Sequence, residues 1–343
     1  MSKPLSISFS VWLIGLVITT LLAIVLAVSV GAVAVPFPQV GQIILAHLLP
    51  GLITPTWTPA ADQIVWVFRL PRVLLAMIVG VALAVSGTTL QAVVRNPLAD
   101  PFIFGVSYGA TVGAVLILTL GSGSFGDISL TLAAFLGALM AMGLTYLLAQ
   151  QQGRLTPLRL ILAGVALSYT LSAITSYLVL RASQLANNQV SLVLSWLAGS
   201  FGRARWEHLG LPAVIVIGLT GYLMLRSRQL NVLLMGDDNA IGLGIDVARF
   251  RLQLFVITSL IVGAVVAVSG AIGFVGLMVP HIVRFGVGSD HRRVLPLAAL
   301  GGGLFMVLVD LIGRTILAPD ELPVGIVTAA LGGPFFLWLL RSS

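Results

Sequence analysis

The sequence predicts an all-α polytopic membrane protein with ten transmembrane helices, forming one domain over residues 1 to 343. Three observations predict it. Of 343 residues, 58% are hydrophobic and only 8% are charged, against about 25% charged in a soluble domain. Apolar stretches recur at lengths near the roughly 20 residues that cross a bilayer as helix. No alternating barrel pattern appears, and only helices or closed barrels satisfy their own backbone polar groups in lipid.

Span one, 11 to 35, is apolar for much longer than the roughly 7 to 15 residues of a signal-peptide core, so it reads as a retained helix. Span two, 64 to 94, ends at the turn "RNPLADP" (95 to 101), where Asn96 and Asp100 each precede a proline that disfavours helix before it. Span three, 102 to 120, carries Gly105, Gly109 and Gly113 on one stripe, which lets a neighbouring helix approach closely. Span four covers 128 to 149. Span five, 158 to 180, repeats the device with Gly164, Ser168, Ser172 and Ser176, and adds Tyr169, Thr170, Thr175 and Tyr177. Helix packing is one reading of this polar face. The other is a translocation pathway bordered by Ser168, Ser172, Thr175 and Ser176.

"VSLVLSWLAG" (190 to 199) is too short to cross and reads as a surface helix. Span six, 209 to 225, leads into the longest internal loop, 226 to 251. There, short apolar runs broken by Gly236, Gly242 and Gly244 suit two brief surface helices, serving as a seat for a soluble motor subunit or as an ordinary connector. Spans seven, 252 to 271, and eight, 273 to 285, turn at "SGAIG", and spans nine and ten cover 296 to 317 and 323 to 340.

Charge decides the turn between spans seven and eight. With ten spans, both termini share a side with 12 of the 18 basic residues and 5 of the 11 acids, which makes that side cytoplasmic. A single span over 252 to 285 would send "SDHRR" outside. The formal charge of +7 then reports topology and attraction to anionic lipid, and no nucleic-acid partner is implied. An internal repeat supports the same count. "VGVALAVSG" (79 to 87) recurs as "VGAVVAVSG" (262 to 270) five spans later and so in the opposite direction, the arrangement of an inverted repeat.

Enzyme chemistry finds little footing. "GVSYG" (105 to 109) fits the nucleophile pattern around Ser107, but it opens a membrane helix where that pattern needs a preceding strand. "GSGSFG" (121 to 126) fits a dinucleotide fingerprint without the strand it requires. With no cysteine and four scattered histidines, no metal site is expected. Lys3 is the only lysine, so no phosphate-binding loop exists, and ATP hydrolysis is expected on another subunit. Asp310 is the strongest intramembrane candidate for ion coupling. Arg314 lies one turn on, however, so a structural ion pair is the favoured reading. An ion-coupled carrier or an intramembrane hydrolase stays open as an alternative.

In order along nearly the whole chain stand "RLPR" (69 to 72), "NPLADP" (96 to 101) with "GVSYGA" following, "LAGVALS" (162 to 168) and "WLAGSF" (196 to 201). They continue with "MGDDNAIGLGI" (235 to 245), "GFVGLMVPHIVR" (273 to 284), "SDHRRVLPLAAL" (289 to 300) and "ELPVGIVTAALGGPFFLWLL" (321 to 340). These resemble the FecCD-type permeases of ABC importers for iron-siderophores, haem and vitamin B12.

The resemblance implies a vitamin B12 permease-like fold in the bacterial inner membrane. Two permeases, identical or different, flank a central pathway lined by spans five and ten, above two cytoplasmic ATPases that carry ATP and Mg and below a periplasmic binding protein. The chain itself would hold no cofactor. The resemblance makes Gly236, Asp237, Ala240, Leu243 and Gly244 the coupling residues toward the ATPase. It makes Arg69, Arg72 and Arg314 the residues that meet acids on the binding protein. The expected cargo is a ferric siderophore, with haem or cobalamin as alternatives.

Overall fold

In the computed structural model, residues 8–51, 54–121, 126–151, 154–185 and 187–342 are described. Among them, seven helices are long and apolar enough to cross a membrane, and three shorter apolar helices, Val106–Thr119, Val275–Val287 and Val324–Leu339, complete the ten expected crossings. Most of the "GSGSFG" run lies outside the described residues.

The C-terminal part of the first crossing departs from expectation. Helix α1 (Phe9–Ser29) stops six residues early, and the chain turns through an extended stretch into α2 (Phe37–Leu48), a short helix the apolar count does not reveal. The stop has a cause. The carbonyls of Val28, Ser29 and Val33 accept hydrogen bonds from the Arg69 guanidinium, and the Ala27 carbonyl accepts one from Arg314. A Cβ at Gly31 would lie 2.5 Å from Arg69 Nη2, so a larger residue there would displace the guanidinium from these carbonyls. Pro36 and Pro38 then suit the start of α2, because proline's missing N–H is not needed in a first turn.

The second crossing is one continuous rod of α3 (Pro59–Asp62), a π-helical turn (Gln63–Arg69) and α4 (Leu70–Val94). It is the most enclosed of the seven long crossing helices among the described residues. Inside α4, Gln91 Nε2 donates to the Gly276 carbonyl while its Oε1 accepts from Arg284, so a buried amide ties α4 to α13 (Val275–Val287). Such an amide costs free energy in lipid unless both ends are paired, and here both are.

The "RNPLADP" turn follows. Arg95 adopts a left-handed conformation, Asn96 Oδ1 accepts from the Leu98 N–H, and Asp100 caps a short 3-10 turn (Pro101–Phe104) by accepting from Phe102.

Helices α5 (Val106–Gly121) and α6 (Gly126–Ala149) pack tightly along the glycine stripe. A Cβ on Gly109 would fall 2.3 Å from the Gly137 carbonyl, and one on Gly113 would fall 2.1 Å from that of Ala133. A two-residue antiparallel ladder pairs Gln150–Gln151 with Arg154–Leu155 ahead of α7 (Pro157–Leu185), the fifth crossing.

Helix α8 (Asn187–Leu197) is the short helix expected after it, and α9 (Gly210–Leu225) is the sixth crossing. The 226 to 251 loop folds as α10 (Ser227–Leu234) and α11 (Asp237–Gly242) before α12 (Val247–Ser269). The seventh and eighth crossings do separate, with residues 270 to 274 between α12 and α13. Helix α14 (His291–Thr315) and α15 (Val324–Ser342) complete the bundle.

Helices α12 and α14 begin five residues before their apolar cores, for a shared reason. The side chains of Asp246 and Asp290 cap them, accepting from the N–H groups of Arg249 and Arg292, and carry helix through a charged first turn that hydropathy overlooks.

Candidate functional site

Three features gather the residues nominated from the sequence. The first is a hydroxyl-rich face shared by α5 and α7. Two adjoining cavities of about 280 Å³ each open there, and Phe102, Tyr108 and Ser172 border both. One also takes Ser168 and Tyr169, the other Ser107, Thr111, Thr175 and Ser176, so all four nominated pathway residues line this space.

Three of the lining hydroxyls are satisfied within their own helices. Thr111, Thr175 and Ser176 each donate to the carbonyl four residues earlier, on Ser107, Leu171 and Ser172. The hydroxyls of Ser107 and Ser168 are buried without a partner among the described residues. Around them the rings of Tyr169 and Tyr177 stand exposed. A wall of hydroxyls and aromatic rings without ionisable carboxylates can hold a large polar molecule by many weak contacts and lacks the charged oxygens a bare cation would need. The sequence had not nominated Phe102, Tyr108 or Thr111. Thr111 stands four residues after Ser107 and shares its helix face, which is the signal available for it.

The second feature lies where the C-terminal ends of α1 and α14 meet the N-terminal end of α4. Arg69, from the π-helical turn, spends its donors on α1's last carbonyls. Arg72 spans two acids: its Nε donates to Asp310 Oδ1 at 2.9 Å, and its Nη1 donates to both Glu321 carboxylate oxygens at 2.8 and 2.9 Å. Arg314 Nε stands 3.2 Å from Asp310 Oδ2, and Nη2 donates to the Ala27 carbonyl at 2.7 Å. Asp310 is fully buried between the two arginines.

The three arginines nominated for docking are therefore engaged within their own chain in this conformation. They still line a cavity of about 280 Å³, together with Gly31, Phe68, Gly202 and Glu321. Two positive side chains reaching α1's last turn also suit the negative end of its helix dipole.

The third feature is the 226 to 251 loop at the opposite end. Asp237, at the start of α11, pairs with Arg251 at 3.0 Å and with Arg95 of the "RNPLADP" turn. Arg251 is itself buried and donates to the Leu155 carbonyl, so this one acid ties α11 to α12 and to two neighbouring connections. Ala240 is buried beneath the loop, whereas Leu243 is 65% exposed, with Met235 and Ile241 exposed beside it. Gly236 and Gly244 bend the chain at φ +114° and +81°, conformations that disfavour any side chain. The nominated set thus divides into braces (Asp237, Ala240), bends (Gly236, Gly244) and one presented apolar side chain, Leu243. Met235 and Ile241 were not nominated, and their signal is the same as Leu243's: large apolar residues in a loop on the water side.

Residues 19–342 match the model of the FecCD transport family. The chain is 44% identical over 281 residues to the cobalamin import system permease protein BtuC of Halobacterium salinarum, covering 82% of this chain and 74% of that one. It is 40% identical over 292 residues to the hemin transport system permease protein HmuU of Yersinia pestis, covering 83% and 86%. It is 38% identical over 330 residues to the vitamin B12 import system permease protein BtuC of Escherichia coli, covering 96% and 94%. Among solved structures, an inward-facing metal-chelate type ABC transporter aligns with a TM-score of 0.83 and 31% identity, covering 96% of this chain and 99% of that one.

Proposed function

Because the chain belongs to the FecCD transport family, we propose that it is the membrane-spanning permease of an ATP-driven importer, receiving a metal chelate from a soluble binding protein and passing it inward. The braced loop carries the reading. Asp237 anchors it to Arg251 and Arg95, while Leu243 and its apolar neighbours face water, which is the form a seat for a motor subunit requires. A loosely tethered loop would absorb a push, whereas one tied to α12 passes it to the bundle.

The mechanism is alternating access. The loaded binding protein docks at the outer end, and ATP binding closes two partner ATPases. Their motion enters through residues 235 to 245, and the α7 faces of two permeases close on one side of the membrane as they part on the other. Hydrolysis resets the cycle. The chain sits in the bacterial inner membrane with both termini cytoplasmic, as its arginine distribution supports.

The cargo reading is a preformed chelate, supported by the uncharged hydroxyl and tyrosine face, with a ferric siderophore as the first expectation. A corrin or haem cargo is the second, favoured by the names of the three relatives above. One experiment separates them: uptake of labelled ferric siderophores, haem and cobalamin by a deletion strain and its complemented parent, with and without ATP depletion. Loss of one cargo, dependent on ATP, identifies the substrate and supports the machine. Unchanged uptake of all of them rejects the cargo class, and uptake that survives ATP depletion rejects the drive.

A further inference from the structure

Arg72 holds two acids of unlike character. Asp310 lies inside α14 with no exposure, while the Glu321 side chain is 48% exposed, in the irregular segment between α14 and α15. The pair with Asp310 is part of the packed bundle. The pair with Glu321 is at a surface, where ion pairs contribute little and water or another carboxylate competes readily. Glu321 also closes one wall of the outer cavity that Arg69, Arg72 and Arg314 line, and among the described residues it is the only acid there. Three guanidiniums against Asp310 and Glu321 leave the cavity short of negative charge once α1's carbonyls are spent.

We propose that Glu321 is an internal stand-in for a carboxylate of the docking partner. In the undocked protein it occupies the Nη1 edge of Arg72. When the soluble partner brings an acidic side chain into the cavity, that side chain takes Nη1 and Glu321 is released, while Asp310 keeps Arg72 in place through Nε. Release has a structural outlet. Glu321 stands two residues before Pro323 and three before α15, and the same short stretch is pinned by Leu322 N–H donating to the Gly313 carbonyl and Gly325 N–H to that of Ala198. Freeing Glu321 loosens one of the ties at the entry of α15, so docking at the outer end acts on a crossing helix directly. Glu321 is a positioning residue in this scheme and touches no cargo.

The inference rests on the importer reading, and its test separates the two. The probe is the purified binding protein whose loss abolishes the uptake described above, titrated against the permease assembled with its ATPases in lipid nanodiscs. Glu321→Gln removes the competing charge at nearly constant shape. We expect it to tighten binding about two- to fivefold, the range of one surface ion pair, and to raise ATP hydrolysis in the absence of the partner. Glu321→Asp, which keeps the charge, is expected to return both toward the parent. Simple damage to the fold would weaken binding, so tightening is a readout that a merely structural role would not produce. Unchanged or weaker binding by the Gln variant, with the parent binding normally, overturns the stand-in alone. Absence of binding by the parent overturns the importer reading and the stand-in with it.

Discussion

Gly80 and Gly302 meet backbone to backbone: a Cβ on Gly80 would lie 2.0 Å from the Gly302 carbonyl oxygen, and one on Gly302 would lie 2.3 Å from that of Gly80. The contact fixes α4 against α14 at a distance only two glycines permit, and it lies in the crossing that joins Arg69 and Arg72 to the "RNPLADP" turn. Close backbone approach replaces the hydrophobic driving force that lipid removes.

Gly80→Ala must therefore push two helices apart or bend them. Overpacking of this kind costs about 1 to 3 kcal/mol, and the obstacle here is a rigid carbonyl. We expect a melting temperature in detergent lowered by several degrees, or loss of monodisperse protein. Gly15→Ala, in a helix face with nothing within 4 Å, is the comparison and should melt like the parent.

Leu243→Ser should separate coupling from folding. Its side chain is exposed, so the isolated permease should keep its melting temperature. A central apolar contact with the motor is worth about 1 to 2 kcal/mol, so ATPase association should fall about tenfold. Full association with the Ser variant would move the seat away from this loop.

Gly244→Val attacks the same loop through the backbone. At φ +81° a β-branched residue is strained, although no neighbour would be struck. Assembly with the ATPases should persist, while transport per ATP hydrolysed falls. Equal stoichiometry in parent and variant would show that the bend carries no motion.

How much of this was legible in the sequence varied with the range of the forces involved. The ten crossings are legible because each is a local apolar run of bilayer length, and the turn between α12 and α13 is legible because charge on either side must obey topology. Helix α2 is not, because it is too short to stand out and exists where Arg69 and Arg314 end α1. The arginines could be nominated by position. That Arg72 reaches Asp310, 238 residues away, is a tertiary fact with no local trace. In the 226 to 251 loop, the brief helices follow from glycine spacing, but the division into brace and presented surface depends on Arg95 and Arg251 arriving from elsewhere.

The "RNPLADP" turn makes a pH prediction. Asp100 is buried outside the crossing helices, and its Oδ1 accepts from the Phe102 N–H at 2.7 Å. Burial pushes its carboxyl up to about 6, against the smaller opposing effect of that hydrogen bond. The unfolded value is about 3.9, so between there and about 6 the folded state binds more protons than the unfolded one. Stability from this group is accordingly greatest in acid, falls as pH rises through that window, and stays reduced above it. The loss by neutral pH is about 1 to 3 kcal/mol.

Asp100→Asn keeps the Oδ1 acceptor and removes the charge. We expect the variant to melt several degrees above the parent at pH 7.5 and to match it near pH 4. Melts that differ equally at both values would assign the effect to packing around the turn, and no difference at either would mean that the carboxylate is solvated in the folded protein.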